Sequence, residues 1–316
     1  MNEDEKITAF RELVKSIKEN SKYLSEDFNP DTELEKGKKK TEDCFVSDSL
    51  TGAFKGKCII DDDMGYHGLG VAQGGMVDTP DGDWYAFMFQ DRGALGRAPV
   101  LMPMHFEDGF PIIGENGKVP EVVTVLDTGY QYAAINGSDD FFYKPDENGQ
   151  ITLKNFWEFN HQQMDDFWSV TENPGHLRLH SAKLSPTLFQ AYNTLTQRTV
   201  GPNCAAEVTL RFAHMKNGDV AGISTFIGNY GFTGVKKEND QFYLIMMGRP
   251  AKDTTVFGQF EYENPGLEYA RVPIYGESIC LRAEADFTDK RDLSSFYYKE
   301  GDNWQKLGID QPMYFK

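Results

Sequence analysis

Three runs of sequence decide the fold: AAEVTLRF (205–212), DVAGISTFI (219–227) and DQFYLIMMG (240–248). Each is short, rich in β-branched and aromatic residues, and bounded by Gly, Pro, Asp or Asn, the composition of a strand in a packed sheet. ESICLRAEA (277–285) and SSFYYK (294–299) continue the pattern toward the C-terminus. DWYAFMFQ (83–90), APVLMPM (98–104), EVVTVL (121–126) and ITLKNFWEF (151–159) extend it in the other direction. The turns between them are chemically explicit: Pro80-Asp81-Gly82-Asp83, Asn116-Gly117, Asn217-Gly218 and Glu300-Gly301-Asp302. Nothing after residue 45 sustains a helical period for three turns, so an all-β region is expected there.

Residues 5–25 differ. Ile7, Phe10, Leu13, Val14 and Ile17 recur at helical spacing with Glu and Lys between them, which predicts an extra N-terminal amphipathic helix. The Asn29-Pro30 step bounds it, because a proline disfavours helical geometry at the residue before it. The surrounding DFNPDTELEKGKKKTED reads as a solvated linker, its Lys36–Lys40 cluster included. The expected organisation is a helix and charged linker over 1–42, a first β domain over 43–130 and a β-sandwich over 138–316. DTGYQYAAINGSDDFFY (127–143) connects the two, with the boundary near Gly137.

The chain has 316 residues and a net charge of −17. An acidic surface repels phosphate backbones, which excludes nucleic acid as a partner and leaves neutral sugars open. Cys44, Cys58, Cys204 and Cys280 are widely spaced, and none forms a metal-binding pair. No apolar run reaches the length of a membrane span, and MNEDEK carries no signal-peptide core. The expectation is a cytoplasmic protein as the sequence is written, with no membrane contact. A natural start further upstream would allow a periplasmic or secreted one.

Two long stretches carry a family resemblance. In residues 46–120 the marks are S-x-S-L-x-G-x-F (47–54), QGG-x-VDTPDGDWYAF (73–87) and FQD-x-GA-x-GR-x-PVLMP (89–103). From SDDF (138–141) they are FWEFNH (156–161), FWSVTENPGHLRL (167–179), NTLTQRTVGP (193–202) and AGISTFIGNYGFTGVK (221–236). The first stretch resembles the last blades of the five-bladed β-propeller of family 43 glycoside hydrolases of the β-xylosidase and α-L-arabinofuranosidase type. The second resembles the concanavalin A-like β-sandwich, a jelly roll, that follows those blades.

The resemblance implies site residues. Gln73 matches a polar position near the pocket floor, beside Gly74-Gly75, which let a strand run close to its neighbours. Arg97 aligns with the arginine that reaches the innermost sugar subsite, where a guanidinium fork suits vicinal hydroxyls. Asp91 orients Arg97 or binds a hydroxyl itself. Gln197 and Arg198 belong to the sandwich segment nearest the propeller mouth, a place that suits sugar contact and inter-domain polar contact equally. Ala72 stands where relatives often carry a His beside a central cation or water cluster, a departure from the pattern. No cofactor is required, and a structural calcium is compatible with the family. Trp84 and Phe87 read as core, and His161, Trp168 and His176 as structural.

Inverting glycoside cleavage needs an acid and a base roughly 6.5–9.5 Å apart. In the family these are a Glu and an Asp upstream of the matched segments, and nothing in residues 1–45 resembles their strands, so no catalytic residue is assigned. Asp61-Asp62-Asp63 makes no facing pair, since neighbours on an extended chain point to alternate sides; the resemblance implies a blade-to-blade turn there, and Asp78 reads as a turn cap. Residues 43–130 supply about two blades at about 40–45 residues each. An open fragment exposes blade faces, some of which the helix at 5–25 would cover. The expected function is therefore hydrolysis of O-glycosidic bonds in xylan-derived oligosaccharides, by a truncated chain of low activity alone. Its partners would be xylo-oligosaccharide or arabinoxylan fragments and an upstream propeller fragment. The alternative is a non-catalytic carbohydrate-binding or scaffold fragment, or one half of a split enzyme.

Overall fold

The computed structural model describes residues 40–125, 128–160, 162–192, 194–226, 229–249 and 264–313. The helix expected over 5–25 lies outside them. Among the described residues every regular element is a strand or a short 3-10 turn. The chain divides into two compact units: residues to Arg92 with Gly96–Thr128, and Gly93–Leu95 with residues from Gly129 onward.

In the first unit, β1 (Glu42–Val46) pairs antiparallel with β2 (Lys55–Ile60). β3 (Ala72–Asp78), β4 (Trp84–Asp91), β5 (Arg97–Glu107) and β6 (Phe110–Ile113) form a four-stranded antiparallel meander. Alternation decides its inner face: Ala86 and Met88 of β4, Met102 and Met104 of β5 and Ile113 of β6 pack with Ile59 and Ile60 of β2. The β6 exit is the turn expected from the sequence. Asn116 and Gly117 both take positive φ, 54° and 80°, as a type I′ turn requires.

The same residues give one complete four-stranded sheet and a two-stranded ribbon, not two four-stranded blades. EVVTVL has strand composition, but no described strand pairs with residues 121–125, and Val122 stands 81% exposed. β-Branched composition favours a strand only where a ladder partner exists.

Trp84 and Phe87 also depart from expectation. The sequence places both in the core, yet they are 37% and 55% exposed. Phe87 faces away from the packed side, opposite Gly75 and Leu101, on a face it shares with the half-exposed Val77. Aromatic content does not reveal which face of a sheet is covered. We expect the double change Phe87→Ser and Val77→Thr to reduce concentration-dependent self-association in light scattering. Stability should move by less than about 1 kcal/mol, because half of each side chain is already in water. Destabilisation as large as that of Met102→Ala would show instead that this face is packed.

In the second unit, four two-residue strands occur in two pairs: β7 (Glu158–Phe159) with β10 (Leu195–Thr196), and β8 (Trp168–Ser169) with β9 (Arg178–Leu179). Two larger antiparallel sheets follow. β12 (Val220–Thr225), β13 (Tyr230–Glu238), β14 (Gln241–Arg249) and β15 (Leu267–Ile274) make one in chain order. β11 (Asn203–Arg211), β16 (Ser278–Asp286), β17 (Leu293–Glu300) and β18 (Asn303–Lys306) make the other, with β19 (Gln311–Pro312) paired to β17. Leu244 and Met246 from the first sheet meet Leu281, Ala283 and Phe296 from the second in one core. Two sheets joined through a shared apolar core form a sandwich.

On β16 the alternation is clean: Leu281, Ala283 and Ala285 point inward, while Arg282 pairs outside with Glu207 and Glu284. On β14, Leu244, Ile245 and Met246 are all fully buried, so that strand is covered on both faces. Strand composition does not single out β13, because its glycines look like turn residues. Gly234 lies against the backbone of Ala221 and Gly222, where an added Cβ would collide. ITLKNFWEF contributes only Glu158–Phe159 to a ladder. Its earlier residues are held by side chains instead: the Lys154 amide donates to the Tyr143 hydroxyl, and the Trp157 indole to Asp139.

Candidate functional site

The three first-unit candidates lie on β3, β4 and β5. Between Ala72 and Gly74 the register of β3 against β4 shifts, and Gln73 takes φ 61°. Such a bulge turns one residue out of the ladder and re-aims its side chain. Gly74 makes the bulge feasible, since a Cβ there would strike the Phe87 carbonyl, whereas Gly75 has open space around it. The Gln73 amide donates to Glu42 Oε2 at 2.7 Å, which leaves its own side chain exposed.

Asp91 and Arg97 form the last cross-strand pair before the β4–β5 turn. Register brings them together, and their charges meet: Arg97 Nε lies 3.4 Å from Asp91 Oδ1. Lys40 Nζ reaches the other carboxylate oxygen at 2.8 Å. Both cations sit over the Phe89 ring, Lys40 Nζ at 4.2 Å and the Arg97 guanidinium at 4.4 Å from its centroid. Such cation–π contacts stabilise by about 0.5–1 kcal/mol at exposed sites. With Nε turned to Asp91, the terminal amino groups of Arg97 make no hydrogen bond among the described residues, and the side chain is 56% exposed. Two donors are thus presented to solvent beside an aromatic ring. That arrangement suits adjacent hydroxyls of a sugar.

Gln197 and Arg198 lie in the second unit, and their side chains act on its own backbone and charges. Gln197 Oε1 accepts the Gly137 amide and its Nε2 donates to the Gly137 carbonyl, both at 2.9 Å. Arg198 Nη2 pairs with Glu158 Oε1 at 3.2 Å. Trp168 and His176 also make local contacts, to Asp165 and to the Pro174 carbonyl. His161 lies outside the described residues.

The carboxylates around the first-unit candidates are engaged. Asp63 accepts the amides of Gly65 and Gly68 at 3.0 and 2.7 Å. Asp62 accepts those of Met64 and Val119 at 3.0 and 2.9 Å. The buried Gln90 side chain completes the same turn by donating to the carbonyls of Asp63 and Leu69. The Asp61–Asp63 run is therefore a loop organiser. Among the described residues no group of three or more His, Cys, Asp or Glu is placed to hold a metal ion.

Sequence reasoning missed Asp139. Its carboxylate is 1% exposed and gathers the Trp157 indole at 2.7 Å, the Phe141 amide at 2.9 Å, the Lys154 ammonium at 3.1 Å and the Tyr143 hydroxyl. Burial pushes its pKa up, but the hydrogen bonds from Tyr143, Phe141, Trp157 and Lys154 outweigh that and hold it below the usual carboxylate range. Burial, then the bond to Asp139, pushes the Tyr143 phenol up to about 12. The only sequence signal was the SDDF motif itself.

The fold first defines a class: an all-β protein of open antiparallel sheets, one of its units a two-sheet sandwich. Residues 146–315 match the family model of the β-xylosidase C-terminal concanavalin A-like domain, GH43_C2, and the chain belongs to that family. A solved structure described as a bifunctional GH43-CE from Bacteroides eggerthii is 35% identical, with a TM-score of 0.70 over 87% of this chain and 33% of that one. A putative β-xylosidase of Xylanibacter ruminicola is 33% identical over 180 residues, 57% of this chain and 33% of the relative. A β-xylosidase of Formosa agariphila is 27% identical over 237 residues, 64% of this chain and 39% of the relative. The matched part of the chain thus spans between 29% and 39% of the lengths of the curated relatives. Its fold is a family 43 propeller fragment followed by a concanavalin-like sandwich.

Proposed function

We propose that this chain serves in the hydrolysis of O-glycosidic bonds of xylan-derived oligosaccharides, as the part of a β-xylosidase or arabinofuranosidase that holds the sugar. Arg97 is the principal contact, oriented by Asp91, with Gln73 beside it on the bulge. The observation that carries this reading is the Asp91–Arg97 pair, which leaves two guanidinium donors open to solvent over Phe89. Low hydrolytic activity of the chain alone is part of the proposal. Glu42 and Asp91, the carboxylates in contact with this wall, are engaged with the Gln73 amide and with Lys40 and Arg97, and Asp62 and Asp63 accept loop amides. A propeller partner would bring the acid and the base. The same engagement favours, as a second reading, a non-catalytic carbohydrate-binding module.

Titration of the whole chain with xylotriose, by calorimetry, tests the contact. Saturable binding is expected, weakened about tenfold by Arg97→Ala, as when a hydrogen bond to a charged group is lost. Absence of binding, or equal binding by the variant, would remove Arg97 from the reading. Release of nitrophenol from aryl β-xyloside separates the two readings when a propeller partner is added: only the enzymatic reading predicts a gain.

A further inference from the structure

Among the described residues, the sandwich unit buries Arg249 without a carboxylate partner. Arg249 ends β14 and is 7% exposed, opposite Tyr230 of β13, which is 1% exposed. A Cβ on the adjacent cross-strand pair, Gly231 and Gly248, would meet Phe296 or Gln311 of the other sheet. Strand alternation therefore turns Tyr230 and Arg249 to the opposite face of their own sheet. Phe189 lies there, its ring centroid 4.8 Å from the guanidinium and 5.4 Å from the Tyr230 ring. Phe226 packs 5.4 Å from Phe189 and 6.3 Å from Tyr230. The Tyr230 hydroxyl donates to the Pro265 carbonyl at 3.3 Å. Arg249 Nη1 is buried and has no hydrogen-bond partner. Arg271, Arg282 and Arg291 of the same unit are more exposed, yet each pairs with one or two carboxylates.

We infer that Arg249 is the carboxylate-binding residue of a site for an acidic sugar, a uronic acid carried by a xylan-derived oligosaccharide. A buried guanidinium is costly unless an anion accepts its donors, and a ring face compensates only in part. Its planar fork matches a carboxylate through two parallel hydrogen bonds. Aromatic walls with few placed polar groups suit the apolar faces of a sugar ring around that contact. The cover is Phe189 on a three-residue 3-10 turn, Leu188–Gln190, which can open without breaking a strand pair. The chain carries a net charge of −17 and repels anions at its surface, so uptake of one is a property of this site. From the proposed function the inference takes only that the ligand is a sugar of xylan.

The experiment uses the full chain, Arg249→Met and Arg249→Gln, with four probes: xylotriose bearing one glucuronate, plain xylotriose, free glucuronate and acetate. At tenfold excess over its Kd, the glucuronate-bearing probe should raise the melting temperature of the unmodified chain by about 3 °C. Its affinity should fall about tenfold in either variant, while that of plain xylotriose stays the same. Arg249→Met fills similar space without the charge and should melt no lower than the unmodified chain when no ligand is present. If that variant does not fold, Arg249→Gln carries the affinity test. A lower melting temperature with unchanged affinity makes Arg249 a structural cation and overturns the inference. Equal affinity of the unmodified chain for plain and glucuronate-bearing xylotriose overturns it too, and leaves the Arg97 contact standing. An equal response to acetate and glucuronate shows an anion site without sugar recognition, and also overturns it. Binding of the glucuronate-bearing probe alone, lost in the Arg249 variants, supports the inference while removing the Arg97 contact.

Discussion

Phe296→Ala is expected to cost about 3–5 kcal/mol of unfolding free energy, at the upper end for a single core truncation. The ring is fully buried on β17 and touches both sheets of the sandwich: Leu244 and Met246 on one side, Leu281 and Ala283 on its own. Gly231 of β13 lies against its edge, where a Cβ would sit 2.8 Å from the ring. Removing the ring leaves a cavity between two hydrogen-bonded ladders that cannot close without breaking strand pairs, so the cavity cost adds to the lost transfer energy. Urea denaturation followed by far-ultraviolet circular dichroism measures it. A loss under about 1 kcal/mol would mean that the sheets do not share this core.

Asp139→Ala should cost about 2–4 kcal/mol at neutral pH, because three hydrogen-bond donors and an ammonium lose a buried charged acceptor together. A pH signature accompanies it. The folded pKa of Asp139 is lowered, so its contribution is present above the unfolded value of about 3.9 and is lost as pH falls through the folded value. Tyr143 runs the other way. Its pKa is raised to about 12 in the fold, so its contribution is present below the unfolded value and fades as pH rises toward 12. Melting temperature against pH should therefore fall at both extremes. Asp139→Asn should flatten the acid limb and Tyr143→Phe the alkaline one. Limbs parallel to the unmodified protein in both variants would place the titrating groups elsewhere.

The partners of Asp139 explain why its role was not visible in the sequence. Asp139 meets Trp157 across 18 positions of irregular chain. An aspartate in a polar stretch carries no mark of a distant partner. By contrast, Asp91 and Arg97 sit on adjacent strands joined by a tight turn, so their pairing followed from register alone. Gln197 suits a sugar contact or an interface on sequence grounds, and its partner is instead the backbone of Gly137, 60 positions away.

The sequence alone determined the all-β character of the described chain, strands β4 and β5 of the first unit, strands β11, β12, β14, β16 and β17 of the second, the turn at Asn116-Gly117 and membership of the family. Local properties suffice for those: β-branched alternation, turn residues and long matching motifs. Tertiary structure decided which faces are covered, leaving Phe87 half exposed on a strand that reads as core. It also decided that no described strand pairs with residues 121–125, while the glycine-containing 230–238 becomes a central strand. A strand is completed by a neighbour, and a buried carboxylate by its donors. Those partners are fixed by the packing of distant segments, which no local pattern encodes.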